Sequence, residues 1–296
     1  MTGTPPLTRA GLIARPSLPA AGATLAEAAT WLAAHGCTPV IEAESARAAG
    51  LDGRWPTATR DALASDVGVV IAFGGDGTLL DAARAVVHSG TDVPLMGVNL
   101  GRLGFLTEVG RADLVTALDA VVSGTTRVET RLMLLGRVDR GGRTIGDRLA
   151  LNDIVVTRGA LSRMIEMDVE VNGAFVCHVK ADGLIVATAT GSTAYNLSAG
   201  GPIVHPDLDA IVLTPIAPHT LTQRPLVLPG SAEIALRPVI EPLSDIVVTF
   251  DGQIGMPLES ADVVHVCRAP RVLRLLRTSS RSHFDMLREK LKWGNA

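Results

Sequence analysis

Through the first 124 residues, short apolar runs alternate with stretches of helical periodicity. Ala10–Ala14 reads as a strand, Ala23–His35 as a helix that stops at Gly36, and Thr38–Glu42 as a second strand. Val67–Phe73 is almost continuously apolar and is followed by Gly74-Gly75-Asp76-Gly77. That is the pattern of a central parallel strand buried on both faces. Thr78–His88 follows as a helix closed at Ser89-Gly90, then Val93–Val98 as a buried strand and Arg111–Ser123 as another helix. Strands alternating with helices predict a doubly wound, Rossmann-like α/β domain.

From about Thr126 the rhythm changes to strands and tight turns. Leu132–Val138, Asp139–Gly142 and Thr144–Ile145 read as the start of a hairpin, and Ile154–Thr157 as a further strand. Met164–Val171 and Ala174–His178 flank Asn172-Gly173, a two-residue hairpin signal. Ile211–Thr214, Glu233–Leu236, Ile246–Phe250 and Val263–Cys267 complete a mostly antiparallel domain. The tail, Ser282–Trp293, is helical again, with Phe284, Leu287 and Leu291 on one face that needs covering. The expected class is therefore α/β plus all-β. Residues 1–125 form the first domain, 268–296 return to it, and 126–267 form the second.

Composition narrows this picture. With 47% hydrophobic and 19% charged residues over 296 positions, the chain has material for two real cores. Aromatics are only 3%, so Ala, Val, Leu and Ile must build those cores. A net charge of −3 offers no overall basic field, which argues against nucleic acid as the partner. Cys37, Cys177 and Cys267 are odd in number and lack a C-x-x-C pairing, as expected of reduced thiols without structural zinc. No basic stretch leads into an apolar core at the start, and no apolar run approaches the roughly 18 residues of a membrane span. These features predict a soluble cytoplasmic chain with no membrane partner.

The chemistry lies in two places. Gly74-Gly75-Asp76-Gly77-Thr78 joins a strand to a helix, where glycines allow close backbone approach and helix-start amides favour anions. A bare Asp-Gly turn is commonplace; the strand–turn–helix setting makes Gly74, Gly75, Gly77 and Thr78 a donor-phosphate loop with one carboxylate, Asp76. Asn99–Leu106 also follows a strand, and parallel sheets bind ligands at the carboxyl ends of their strands. The two loops are expected to line one crevice, with Phe105 either covering a base or ribose or serving as core. Asn152-Asp153, taken alone, reads as a turn. Asp182–Pro202 reads as a loop rich in hydroxyls: Thr190, Ser192, Thr193, Tyr195 and Ser198. A helix starting near Gly191-Ser192 sets Tyr195 and Ser198 on one face, and Lys180 and Asp182 flank its approach. A carboxylate beside phosphates, with a sugar-sized polar site, points to phosphoryl transfer onto a hydroxyl. No P-loop, G-x-S-x-G elbow or Tyr–Lys reductase pair occurs, and His205 and His219 read as structural.

Taken together, GGDGTLL, NLGRLGFLTE, LNDIVVTRG, DGLIVATATGSTAYNLSAGGP, Pro218-His219-Thr220-Leu221, Arg224-Pro225-Leu226 and the terminal Lys290-Leu291-Lys292-Trp293-Gly294 closely resemble the NAD kinase family. GGDG alone is shared with diacylglycerol and sphingosine kinases and 6-phosphofructokinases; the TGSTAY loop is far more specific. The resemblance implies an α/β domain, a β-sandwich-like domain and a C-terminal helix swung back onto the first. It implies phosphorylation of the adenosine-ribose 2′-hydroxyl of NAD by ATP or a similar donor. Asp76 would be the general base and Gly77 would lie beside the ligand. Asn152 and Asp153 would hold adenine and ribose groups, and Arg163, Lys180 and Asp182 would line the dinucleotide site. Thr193, Ala194, Tyr195, Asn196, Leu197 and Ser198 would wrap it, with Ala217 and Gln253 completing the pocket. Mg²⁺ would come through the donor phosphates rather than protein ligands, and the chain would form a homodimer or homotetramer.

Three departures stand out. Ala189 replaces a usual proline and is expected to soften that turn; Asp153 replaces a frequent glutamate; Lys180 replaces a frequent arginine, which bears on NADH against NAD. A lipid or sugar kinase using the same GGDG loop, or a catalytically silent NAD(P)-binding sensor, are the competing readings. ATP, other nucleoside triphosphates and polyphosphate present similar terminal phosphates, so the sequence does not choose among donors. It is equally silent on oligomer size and on feedback by NADP(H).

Overall fold

The computed structural model describes residues 7–101, 104–159, 164–220, 222–239, 245–278 and 281–293. The chain divides into two units, Met1–Thr130 with Leu273–Ala296, and Arg131–Val272.

In the first unit the elements are β1 (Arg9–Ala14), α1 (Pro19–Ala34), β2 (Thr38–Glu42), α2 (Ala43–Ala48), β3 (Thr57–Ala58), α3 (Arg60–Leu63), β4 (Val69–Gly74), α4 (Asp76–His88), β5 (Leu95–Asn99), β6 (Val109–Gly110), α5 (Leu114–Val122) and β7 (Arg127–Arg131). The strands lie in the order β3-β2-β1-β4-β5, parallel throughout. The sheet order reverses beside β1, next to β4. Every residue of β4 is buried, as its unbroken apolar run requires of a strand covered on both faces. The predicted strands and helices appear here with boundaries shifted by a few residues. Helix α1 starts four residues earlier than its apolar period suggests, because Pro19 suits a first helical turn.

The second unit contains β8 (Leu134–Arg140), β9 (Arg143–Ala150), β10 (Asp153–Arg158), β11 (Ile165–Val171), β12 (Ala174–Ala181), β13 (Gly183–Thr188), α6 (Tyr195–Ser198), β14 (Ala210–Ile216), β15 (Leu226–Pro229), β16 (Ile234–Val239), β17 (Ile246–Phe250), β18 (Ile254–Pro257) and β19 (Val263–Arg268). They form two six-stranded sheets, β15-β14-β13-β10-β17-β18 and β12-β11-β16-β19-β8-β9. One apolar core takes side chains from both sheets, including Leu134, Ile154, Met167, Val186, Leu236 and Phe250. A smaller cluster on the other side of β10, β13 and β14 packs against Ala189 and Val204.

Two expectations need correction. Residues 183–188, read as part of a hydroxyl-rich loop, are instead the buried strand β13. Gly-Leu-Ile-Val-Ala-Thr is small and apolar enough to lie between two antiparallel neighbours, and only the segment after it turns. The last helix, α7 (His283–Leu291), buries Met286 and Leu287, while Phe284 is 58% exposed. Ser282 and Asp285 form a reciprocal capping box that sets its start. That start places Met286, not Phe284, beside Leu287 on the covered face.

The sequence reading also missed β20 (Leu273–Arg277), which runs parallel to β5, with Leu275 beside Leu95, and lies between β5 and β7. Leucines alternating with arginines resemble an exposed strand, yet Arg277 is buried. Its guanidinium lies 3.0 Å from the Glu108 carboxylate and 3.5 Å from that of Glu129. Among the described residues, no helix is long and apolar enough to cross a membrane.

Candidate active site

The glycine loop ends β4 at Gly74, and Gly75 is the N-cap of α4, so Asp76 occupies the first helical position. Loops beyond the carboxyl ends of β1 and β4, where the sheet order reverses, are where open parallel sheets bind ligands. Arg15, just after β1, donates its amide to the Phe73 carbonyl at 3.0 Å, and Leu100, just after β5, donates to the Gly74 carbonyl at 3.0 Å. The two glycine-bearing loops therefore meet, as expected.

Their meeting point is Asp76. Its Oδ2 accepts from the Phe105 amide at 2.8 Å. Its Oδ1 accepts from the amides of Leu106 and Thr107 at 3.2 and 3.0 Å and from the Thr107 hydroxyl at 2.8 Å. Three consecutive amides converging on one carboxylate require the backbone to lie against it. A Cβ at Gly104 would overlap both the Asp76 carboxylate and the Thr107 hydroxyl, so glycine is needed there. Phe105 is half-buried, and its ring lies 5.9 Å from Lys290 Nζ of α7, within cation–π range.

The second unit brings together other expected residues. Asp251 takes a left-handed conformation (φ 51°) in a turn with Gly252 (φ 62°). Its carboxylate accepts from the amides of Leu151, Asn152 and Asp153 at 3.1, 2.7 and 3.3 Å. Asp251 was missed in the sequence, although Asp251-Gly252 after an apolar run is a hairpin signal of the kind recognised at Asn172-Gly173. The Asn152 carbonyl accepts from the Thr188 amide at 2.9 Å, and a Cβ at Gly191 would overlap that carbonyl. The Asn152 segment and the turn after β13 are thus pressed together, while the Asn152 carboxamide makes no hydrogen bond among the described residues. Gln253 is exposed in the same turn as Asp251.

The hydroxyl-rich turn divides into two roles. Ser192 is buried, donating to the Ala189 carbonyl at 2.7 Å and accepting from the Val204 amide at 3.0 Å. The Asn196 carboxamide is fully buried and engaged with Ser192, Pro202 and Thr214, and the Thr193 hydroxyl points back to the Thr190 carbonyl at 3.4 Å. Part of the hydroxyl-rich segment is therefore spent on holding the turn itself. Tyr195 and Ser198 are exposed, and their hydroxyls make no hydrogen bond among the described residues. Ala194 and Leu197 are half-buried beside them. Ala189 has φ −55°, close to the value a proline ring enforces, so the turn keeps that geometry without the ring.

Asp182 pairs with Arg158 at 2.9 Å, a partner the sequence reading overlooked. Its amide bonds the Ile216 carbonyl, next to Ala217, whose φ of 45° is uncommon for a residue with a Cβ. Lys180 is exposed on β12 and pairs with Glu166 at 2.7 Å. Arg163 lies outside the described residues.

Asp153 is 4% exposed, and its carboxyl is pushed up to about 7 by burial first and by the neighbouring Asp251 charge second. The native state therefore holds this proton more tightly than an unfolded chain, where the ordinary value is about 3.9. Stability from this group is full below about pH 4 and is lost as pH rises through about 7. Asp153→Asn should match the parent near pH 4 and exceed it by on the order of 2–4 kcal/mol at pH 8. Urea unfolding at the two pH values measures this; a constant difference between the proteins would contradict it.

Residues 11–126 match the ATP-NAD kinase N-terminal domain and residues 151–278 the ATP-NAD kinase C-terminal domain. The chain has the fold of yeast NADH kinase solved with NADH (TM-score 0.88, 24% identity, 99% of this chain and 89% of that one). It also resembles an Archaeoglobus fulgidus NAD kinase solved with ATP (TM-score 0.73, 23% identity, 96% and 98%). Fold and site thus define a two-unit nucleotide phosphotransferase. The NAD kinase of Geobacter metallireducens is 46% identical over 268 residues, covering 90% of this chain and 92% of that protein. The chain belongs to the NAD kinase family, whose reaction is the ATP-dependent phosphorylation of NAD to NADP.

Proposed function

We propose that this chain transfers the γ-phosphoryl group of ATP to the 2′-hydroxyl of the adenosine ribose of NAD, with Asp76 as general base. The observation that carries this assignment is the unequal engagement of the Asp76 oxygens. Oδ1 accepts three hydrogen bonds and Oδ2 only one, leaving Oδ2 able to accept a further donor. A ribose hydroxyl is a poor nucleophile near neutral pH. A carboxylate within hydrogen-bond reach takes its proton as the bond to phosphorus forms, an effect worth roughly 10²–10⁴-fold. The donor phosphates lie against the Gly74-Gly75-Asp76-Gly77 backbone at the start of α4, with the Thr78 amide already engaged by the Gly75 carbonyl at 3.0 Å.

In the second unit, Asn152 and Asp153 hold the adenine and ribose groups, the Asn152 carboxamide being open to a ligand. Lys180 and Asp182 line the dinucleotide site. Thr193 to Ser198 wrap the ligand through Tyr195 and Ser198, while Asn196 holds the turn from within. Ala217 and Gln253 complete the pocket.

Among the described residues no group of three His, Cys, Asp or Glu side chains is arranged to hold a metal ion. The cation is carried by ATP, whose phosphate oxygens are its natural ligands. Bound there, Mg²⁺ neutralises charge on the transferring group. We further assign the protein to the cytoplasm, as a homodimer or homotetramer. Burial raises the Cys37 thiol to about 11, which suits an unreactive reduced cysteine.

Incubation with NAD, ATP and Mg²⁺, with NADP detected by an NADP-specific dehydrogenase, tests the reaction. Phosphorylation of a lipid or sugar in place of NAD, or NAD binding without turnover, would overturn it. Lys180→Arg should change the NADH-to-NAD ratio of kcat/KM by about fivefold, the equivalent of ~1 kcal/mol. An unchanged ratio would remove Lys180 from that role.

A further inference from the structure

We infer that Thr107 is a positioning residue for Asp76, and that Asn99 orients it. The inference rests on the reading of Asp76 as the base. Asn99 is 4% exposed and Thr107 1%. The Asn99 Oδ1 accepts from the Gly101 amide at 2.7 Å, which turns its Nδ2 toward Thr107, 2.8 Å from the hydroxyl oxygen.

An amide nitrogen can only donate. The Thr107 oxygen must therefore accept from Asn99, and its single proton is left for Asp76 Oδ1, 2.8 Å away. The chain Asn99→Thr107→Asp76 runs in one direction only. Without the hydroxyl proton, Oδ1 would keep two amide donors and Oδ2 one, a much weaker distinction. The carboxylate could then turn about its terminal torsion, which is broad for aspartate. With the proton, Oδ1 is saturated and Oδ2 faces the reacting hydroxyl. The hydroxyl also stabilises negative charge on the carboxylate that it holds.

Packing backs this arrangement. A Cβ at Gly97 would overlap the Thr107 methyl, and one at Gly104 would overlap the Thr107 hydroxyl. Two glycines thus leave Thr107 its place against β5 and beside the carboxylate.

Thr107→Val keeps the branched shape and removes the proton. It should lower kcat about tenfold, the equivalent of a charge-assisted hydrogen bond of ~1.5 kcal/mol. KM for NAD and ATP should stay within about twofold. Thr107→Ser should recover kcat to within about twofold of the parent. Asn99→Asp, which accepts the Thr107 proton and draws it away from Asp76, should repeat the valine phenotype and serves if the valine protein does not fold. Parental kcat in Thr107→Val or in a folded Asn99→Asp protein would overturn the inference, as would equal losses in Ser and Val. If Asp76→Asn itself keeps full activity, the reading of the base fails and this inference with it. An inactive Asp76→Asn beside a fully active Thr107→Val sinks the inference alone.

Discussion

Asp76→Asn should lower kcat by at least about 100-fold while NAD still binds. The substitution keeps the shape of the side chain and removes its capacity to take a proton. Its carbonyl can face the Leu106 and Thr107 donors, but its NH₂ group then meets the Phe105 amide, donor against donor. One hydrogen bond is lost, at a cost of about 1–3 kcal/mol in stability, so the protein should fold with a lowered melting temperature. Calorimetric titration with NAD and steady-state kinetics separate the two effects. Turnover at the parental rate would remove Asp76 from the base role. A low rate accompanied by a changed Mg²⁺ dependence would recast it as a metal ligand.

Arg277→Met should destabilise the first unit by about 3–5 kcal/mol. Arg277 is 7% exposed and lies against the Glu108 and Glu129 carboxylates, whose side chains are 2% and 14% exposed. Neither Glu108 oxygen nor the Arg277 Nε reaches hydrogen-bond geometry, so charge alone holds the pair. Removing the cation leaves the Glu108 carboxylate without it in a nearly dry setting, the costly half of a buried ion pair, while Glu129 keeps its pairing with Arg127. Adding Glu108→Gln should return part of the loss, because it removes the stranded charge. Glu108 adjoins Thr107, so the single variant should also weaken the loop that grips Asp76. Urea unfolding gives the energy; a change below about 1 kcal/mol would show that water or another group already neutralises Glu108.

Much of the architecture is legible in the chain itself. The run Val69–Phe73 before GGDG has no polar position to expose, so it can only be a strand buried on both faces. Asn172-Gly173 forces a hairpin because both residues accept left-handed backbone at little cost, and both adopt it. Leu273–Arg277 was not legible, because its arginine reads as a solvent-facing residue until Glu108 and Glu129, from distant stretches, are brought to it. Phe284 failed for a related reason: a capping box decides where a helix begins, and with it which face is covered.

The site divides in the same way. The sequence by itself determined that Asp76 stands between a buried strand and a helix, among glycines, because local backbone conformation depends on neighbouring residues alone. Likewise it marked the Tyr195 turn as polar surface needing a purpose, whereas Asn152 gained a ligand role only through the family resemblance. Only the tertiary structure decided which hydroxyls are structural, that Asp251 organises the Asn152 segment, and that Thr107 presents its proton to Asp76. Hydrogen bonds between residues some thirty to one hundred positions apart depend on which loops fold against one another, and no local pattern records that.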